Sequence, residues 1–134
     1  MSGRPAVPAR DGSDTGLGSC VVADLGRTPL GGSDGVVWHL PHGGDLDANL
    51  VRLGAGAAID EHRNHEVDVL VYVQSGSGQV LVDGRSHPVA ADHVVLVGRG
   101  ASRSIEAGAL GLTFLSVHRR RGPMNIGPPP PGRP

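Results

Sequence analysis

A short polar segment in the middle of the chain carries the residues best suited to chemistry. His62, Asn64, His65 and Glu66 fall within five positions of one another. Imidazole and carboxylate groups can hold a divalent metal, and a histidine beside a polar partner can act as a general acid or base. A three-residue spacing puts His62 and His65 on opposite faces of a regular strand, unless a turn or bulge intervenes. We therefore expect His65, Glu66 and Asp68 to be solvated loop groups.

Several other chemistries are excluded by composition. All 12 basic residues are arginine, so neither a Schiff-base lysine nor a lysine-bearing phosphate loop can form. Cys20 is the only cysteine, which rules out an intrachain disulfide and a thiolate-rich metal site. The formal net charge of −1 gives no reason to expect a nucleic acid or a membrane surface as partner. We expect His39, His42 and His87 to be surface histidines.

The elements that must position these residues are strands. Valine occupies positions 67, 69, 71 and 73, the period of two that indicates a strand with one buried face. The Ser75–Gly78 segment reads as a turn, and Asp83-Gly84 reads as a second, tight turn. No segment has the long 3.6-residue periodicity and caps of a helix. Strands are predicted over 36–40, 48–53, 57–59, 67–74, 79–83, 86–90, 93–97, 102–107 and 110–118. An all-β sandwich or barrel follows.

The two ends of the chain differ from this middle. Residues 1–34 are rich in Gly, Ser, Pro and Asp and are predicted to form a flexible arm, in which 20–25 could add an edge strand. Residues 122–134 include four consecutive prolines and are predicted to be a disordered tail. The domain itself is predicted over 35–121. Without an apolar leader or a stretch long enough to span a bilayer, we expect a soluble cytoplasmic protein.

Two spaced motifs in residues 56–118 carry a family resemblance. The first starts at Gly56, reaches His62 after five residues and ends at Gly76. The marked positions of the second are Asp92, Gly98, Gly100, Arg103 and Ala107. This pattern resembles the two motifs of the cupin superfamily. The resemblance implies a cupin-type double-stranded β-helix, or jelly-roll barrel, a fold that hosts many unrelated activities.

The resemblance breaks down at the metal-ligand positions. In metal-dependent cupins the two motifs supply three histidines and one glutamate, and the corresponding residues here are His62, Asn64, Val69 and Arg103. Valine has no donor atom, and a guanidinium cannot coordinate and repels a dication. We therefore predict a protein without a metal cofactor. If a divalent transition metal were bound after all, the candidate ligands would be His62, His65 and Glu66.

Two functions remain open at this point. The first is a binding protein whose barrel holds a small anionic molecule, with a carboxylate as the simplest choice, through His62, Asn64 and Arg103. In this interpretation Arg103 replaces the metal as the positive charge of the pocket. The second is an enzyme, either a metal-dependent dioxygenase or isomerase, or a metal-free isomerase or cyclase that uses His62 as acid–base catalyst.

An apolar strand surface predicts self-association. Leu70 and Tyr72 alternate with valines 69, 71 and 73, so this strand is apolar on both of its faces. A two-sided apolar strand needs cover on each face, from a second sheet, the N-terminal arm or another subunit. We expect a homodimer, as the cupin resemblance also implies, with no nucleic-acid or membrane partner.

Overall fold

The computed structural model describes residues 20–27, 34–41 and 44–120. Most of the predicted arm, His42, Arg121 and the predicted tail 122–134 lie outside the described residues. The described part holds one 3₁₀ turn, Leu25–Arg27, and no α-helix. Its seven strands are β1 (Gly35–His39), β2 (Leu46–Leu53), β3 (Ala58–Arg63), β4 (Val69–Val82), β5 (Arg85–Ala90), β6 (Val94–Val97) and β7 (Ser102–Arg119). None of these described segments is a helix long and apolar enough to cross a membrane.

Two long strands, β4 and β7, hold the barrel together. They pair antiparallel along nearly their whole lengths, from the Val69–His118 pair to the Val82–Arg103 pair. The first half of β4 also pairs with β6 and its second half with β5, while β7 pairs with β3 near its start and with β2 near its end. Strand β1 extends the β2 edge. This antiparallel arrangement of seven hydrogen-bonded strands agrees with the predicted all-β jelly-roll fold.

The predicted turn at Ser75–Gly78 is wrong, because β4 continues through it. Its pairing with β7 shifts register between Val73 and Ser75 and again between Gly76 and Gly78, so the strand bulges instead of reversing. A Cβ atom at Gly76 would overlap the Gly111 carbonyl, and one at Gly78 would overlap the Glu106 carbonyl. The glycines therefore serve the close approach of two backbones. The partner strand is continuous as well: the predicted strands 102–107 and 110–118 form one strand, β7.

The predicted alternation along β4 is correct and defines the core. Val69, Val71 and Val73 are at most 1% exposed, whereas Leu70 and Tyr72 between them are 39% and 36% exposed. The valines pack in one cluster with buried side chains of β2, β5 and β7. The optional strand at 20–25 does not form: residues 20–24 have no regular structure and the 3₁₀ turn follows at once.

Tyr72, the sole tyrosine, is tied to the β5–β6 turn. Its hydroxyl donates a 2.6 Å hydrogen bond to Oδ1 of Asp92, a residue held at φ = 72°. This hydrogen bond, together with the nearby carboxylate charge, raises the pKa of Tyr72 above its ordinary value. The native state thus favours the neutral phenol. The stability that this bond contributes is complete below the unfolded pKa of about 10 and is lost as pH rises through the folded pKa.

We predict that tyrosinate forms at higher pH in the native protein than in the unfolded chain. The ultraviolet absorbance of tyrosinate measures this directly, since no second tyrosine contributes to it. Asp92→Asn should move the native midpoint back toward the ordinary value, because the charge is lost. Equal midpoints in native wild type and native Asp92→Asn would show that the Asp92 contact does not operate in solution.

Candidate functional site

A small cavity lies in the barrel, lined by residues of β1, β2, β3, β4 and β7. Its volume is about 110 Å³, whereas one water molecule needs about 10–15 Å³ on the same scale. The space suits a small organic molecule of a few heavy atoms. Its apolar wall is formed by Val36, Val51, Ile59, Val71, Ile105 and Phe114. Its polar lining residues are Asn49, His62, Arg103, Ser104 and Ser116.

Strand pairing brings His62 and Arg103 together at this cavity. The two residues are direct partners in the β3–β7 ladder, and both line the cavity. An irregularity in β3 between Ile59 and His62 explains how residues three positions apart both reach the interior. Arg103 is half-buried and His62 is exposed at the rim. Nδ1 of His62 lies 3.4 Å from the Asp60 carbonyl oxygen, and in the tautomer that donates there, Nε2 carries the lone pair.

Asn64 lies outside the cavity lining. Its Oδ1 accepts hydrogen bonds from the backbone N–H of Glu66 (2.8 Å) and of Val67 (3.2 Å). This is the turn-forming use of asparagine, and it occupies the side-chain oxygen. His65 and Glu66 are exposed on the same turn. Of the three residues predicted to bind a ligand, the structure thus brings only His62 and Arg103 together.

The turn after β3 is pinned to the loop before β7. Asp68 is exposed to solvent as expected, and its Oδ1 also accepts a 2.8 Å hydrogen bond from the Arg99 N–H. The Gly100 N–H donates to the Asn64 carbonyl at 2.7 Å, and the Arg63 guanidinium donates to the Gly100 carbonyl at 2.8 Å. These contacts fix the ends of the two strands that present His62 and Arg103.

Asn49 and Ser116 are cavity residues that sequence reasoning missed. They are direct partners in the β2–β7 ladder, and Ser116 is also paired with Val71 of β4. Oδ1 of Asn49 lies 2.6 Å from Nδ1 of His39 on β1. His39 is exposed as expected, yet it contacts the cavity lining through this bond. The alternation along β2 could have identified Asn49, because it places Asn49 on the same strand face as the core residues Val51 and Leu53.

The donor set does not fit a transition metal. At the four positions that correspond to the ligands of metal-dependent cupins, Val69 is apolar and 1% exposed, Arg103 is cationic, and the Asn64 oxygen is already bonded. Within residues 20–27, 34–41 and 44–120, no three His, Cys, Asp or Glu side chains come close enough to hold an ion. The alternative ligand set of His62, His65 and Glu66 is therefore not assembled either.

A second, more open groove lies between β5 and β6. Its volume is about 660 Å³, and it is lined by His87, Asp92 and His93 together with apolar side chains of both strands. Nδ1 of His93 accepts a 3.1 Å hydrogen bond from the Ala90 N–H, and Asp92 holds Tyr72, so two of these polar groups already serve the β5–β6 turn. The smaller and less open cavity between Arg103 and Asn49 is the better candidate site.

Comparison with solved structures shows which fold the chain has. The cupin domain of Cnp3 from Schizosaccharomyces pombe superimposes with a TM-score of 0.66 at 21% identity, over 74% of this chain and 73% of that one. This chain has the cupin fold. KdgF from a Halomonas species matches with a TM-score of 0.59 at 19% identity, over 64% of this chain and 78% of that one.

A third similar structure is described as a predicted oxalate decarboxylase from Thermotoga maritima. It matches with a TM-score of 0.53 at 27% identity, over 55% of this chain and 64% of that one. No protein-family model and no curated protein sequence matches this chain. The comparisons thus support the cupin fold, and function has to be argued from the cavity.

Proposed function

We propose that this cupin-fold protein binds a small organic acid in the barrel cavity, with Arg103 as the cationic anchor and His62 beside it. The observation that carries the proposal is the direct β3–β7 pairing of these two residues at an otherwise largely apolar cavity. A guanidinium donates two parallel hydrogen bonds to a carboxylate, and apolar walls strengthen that contact by excluding water. The cavity volume of about 110 Å³ limits the ligand to a short acid.

The net charge and the free cysteine support a small-molecule ligand and a cytoplasmic location. A net charge of −1 favours neither nucleic acid nor an anionic membrane surface as partner. Cys20 is an exposed free thiol, a state that the reducing cytoplasm maintains. A short acid as ligand also agrees with the Thermotoga structure, whose description names oxalate, a small acid. We therefore propose a cytoplasmic protein with a small-molecule ligand.

Arg103→Ala should weaken acid binding by about 10- to 100-fold, the range expected for lost hydrogen bonds to a charged group. Titration calorimetry with butanoate and pentanoate, compared with the matching neutral amides, measures this effect. Arg103→Lys should bind the acids with intermediate affinity, because lysine keeps the positive charge but lacks the two parallel N–H donors of the guanidinium. Arg85→Ala is the matched control, since Arg85 is exposed on β5 outside the cavity lining. Absence of acid binding in the wild type, or unchanged binding by Arg103→Ala, would refute the proposal.

The proposed protein works without a metal, because Arg103 supplies the positive charge of the cavity. Elemental analysis after purification without chelators should therefore find iron, manganese, nickel and zinc well below one atom per chain. Adding these ions should leave acid affinity unchanged. Stoichiometric bound metal, or acid binding that requires added metal, would contradict this prediction and indicate a metal-dependent site.

A metal-free isomerase or cyclase is the second candidate, favoured by the position of His62 beside Arg103. Nε2 of His62 could remove a proton next to a carbonyl, while the guanidinium stabilises the developing oxyanion. Incubating 2-oxo and 3-oxo acids with the protein in D₂O and following proton exchange by NMR tests this function. Exchange that His62→Gln abolishes would establish catalysis, whereas binding without exchange would leave a binding protein.

We further propose that the protein is a homodimer in which the outer faces of β4 and β6 of the two subunits cover each other. Leu70 and Tyr72 on β4 are paired with Leu96 and Val94 on β6, and these four side chains are 36–64% exposed. Neighbouring apolar side chains on one sheet face favour association with a like surface. Sedimentation should give a species of twice 13.7 kDa, and Leu96→Glu should convert it to monomer. Leu110→Glu, at an exposed leucine of β7, is the control that should remain dimeric. A monomeric wild type would contradict the proposal.

A further inference from the structure

The cavity has a second polar end, formed by residues that the proposed acid contact does not use. Arg103 pairs with Val82 near the end of β4, whereas Ser116 pairs with Val71 near its start. Asn49 is the β2 partner of Ser116. The polar groups of one cavity therefore come from two separate places in the barrel, one cationic and one neutral.

His39 fixes the orientation of the Asn49 amide. The two residues are partners in the β1–β2 ladder, and Nδ1 of His39 lies 2.6 Å from Oδ1 of Asn49. An amide oxygen only accepts, so Nδ1 is the protonated nitrogen and donates this bond. The Asn49 oxygen is thereby engaged, and its NH₂ group is the part of the amide left to donate toward a cavity ligand. His39 is a positioning residue in this arrangement.

We infer that the ligand is a short acid with a second oxygen, a hydroxyl or a carbonyl, at the end remote from its carboxylate. This inference rests on the proposed function, in which Arg103 binds the carboxylate. The remote oxygen would accept a hydrogen bond from the Asn49 amide, and the Ser116 hydroxyl can donate or accept beside it. A plain alkyl acid would bury both groups without a partner, which costs binding energy. The Asn49 end therefore selects among acids that Arg103 alone would bind alike.

The test compares acids of one carbon skeleton by titration calorimetry. Pentanoate is the parent, and 4-oxopentanoate and 5-hydroxypentanoate carry the second oxygen. At least one oxygenated acid should bind about tenfold more tightly than pentanoate, as expected when a desolvated polar group gains its hydrogen bond. Arg103→Ala should weaken all three acids by a similar factor. Asn49→Leu should remove the preference and should tighten pentanoate binding, because the amide that pentanoate buries without a partner is then gone.

Further variants separate selection from a merely structural effect. His39→Phe should reduce the preference for the oxygenated acid without weakening pentanoate, and His39→Gln, which restores a donor, should recover part of it. Ser116→Ala removes one atom only, so it serves if Asn49→Leu does not fold, and it should also lower the preference. His87→Phe is the matched control, since His87 is exposed and outside the cavity lining.

The outcomes distinguish this inference from the proposed function. Acids that bind through Arg103 with no preference for a second oxygen would overturn the inference alone. A preference that survives both Asn49→Leu and Ser116→Ala would also overturn it, because the oxygen would then be recognised elsewhere. If none of the three acids binds, the proposed function fails and the inference fails with it.

Discussion

Gly76→Ala should destabilise the protein by at least about 3 kcal/mol, because it combines backbone strain with a steric clash. Gly76 has φ = +84°, a conformation that L-residues rarely adopt. Its added Cβ would also overlap the Gly111 carbonyl oxygen, because β4 and β7 approach each other closely there. Neither strand can retreat without disturbing its other pairings. Equilibrium unfolding in urea, followed by Trp38 fluorescence, measures the change in free energy of unfolding.

Alanine variants of two other glycines separate the effect of backbone strain from that of the steric clash. Gly84 also has φ = +84° but would meet nothing within 4 Å, so Gly84→Ala should cost only the strain, about 1–2 kcal/mol. Gly98 has open space and no positive φ, so Gly98→Ala should change stability by no more than about 0.5 kcal/mol. Equal losses for Gly76→Ala and Gly84→Ala would show that β4 and β7 are not in close contact there.

Phe114→Ala should cost about 3–5 kcal/mol, the range for removing a buried aromatic side chain. Phe114 is the only phenylalanine, is 2% exposed, and belongs both to the core cluster and to the cavity wall. Its partners across the ladders, Val51 and Val73, are too small to fill the space it would leave. Urea unfolding measures the loss, with Leu110→Ala as control, since Leu110 is 83% exposed. A loss below about 1 kcal/mol would place Phe114 outside the core.

The fold was predictable where the signal is local. Alternating valines from 67 to 73 identify one face of β4, and the structure buries that face. The turn predicted at Ser75–Gly78 is wrong because glycine serves two purposes, a chain reversal or the close approach of another backbone. Only the partner strand decides between them, and β7 lies more than twenty residues further along the chain. No local rule could supply that contact.

The site was predictable only in part, for the same reason. His62 and Arg103 stand at motif positions on two strands that the fold pairs, and the structure brings them together. Asn64 had a local alternative, since asparagine often accepts from backbone N–H groups two and three residues on. Asn49 and Ser116 are more than sixty residues apart and meet through β2–β7 pairing, which spacing alone does not reveal.

An NMR titration of the ¹⁵N-labelled full chain with pentanoate and 4-oxopentanoate tests most directly whether the barrel cavity binds acids. Saturable chemical-shift changes should cluster at backbone amides of the strands that line the cavity, at Arg103, Ile105 and Ser116. These changes should disappear in Arg103→Ala. The β5–β6 groove around His87 and His93 should show no saturable change. Saturable shifts confined to that groove, or no saturable shift anywhere, would contradict acid binding in the cavity.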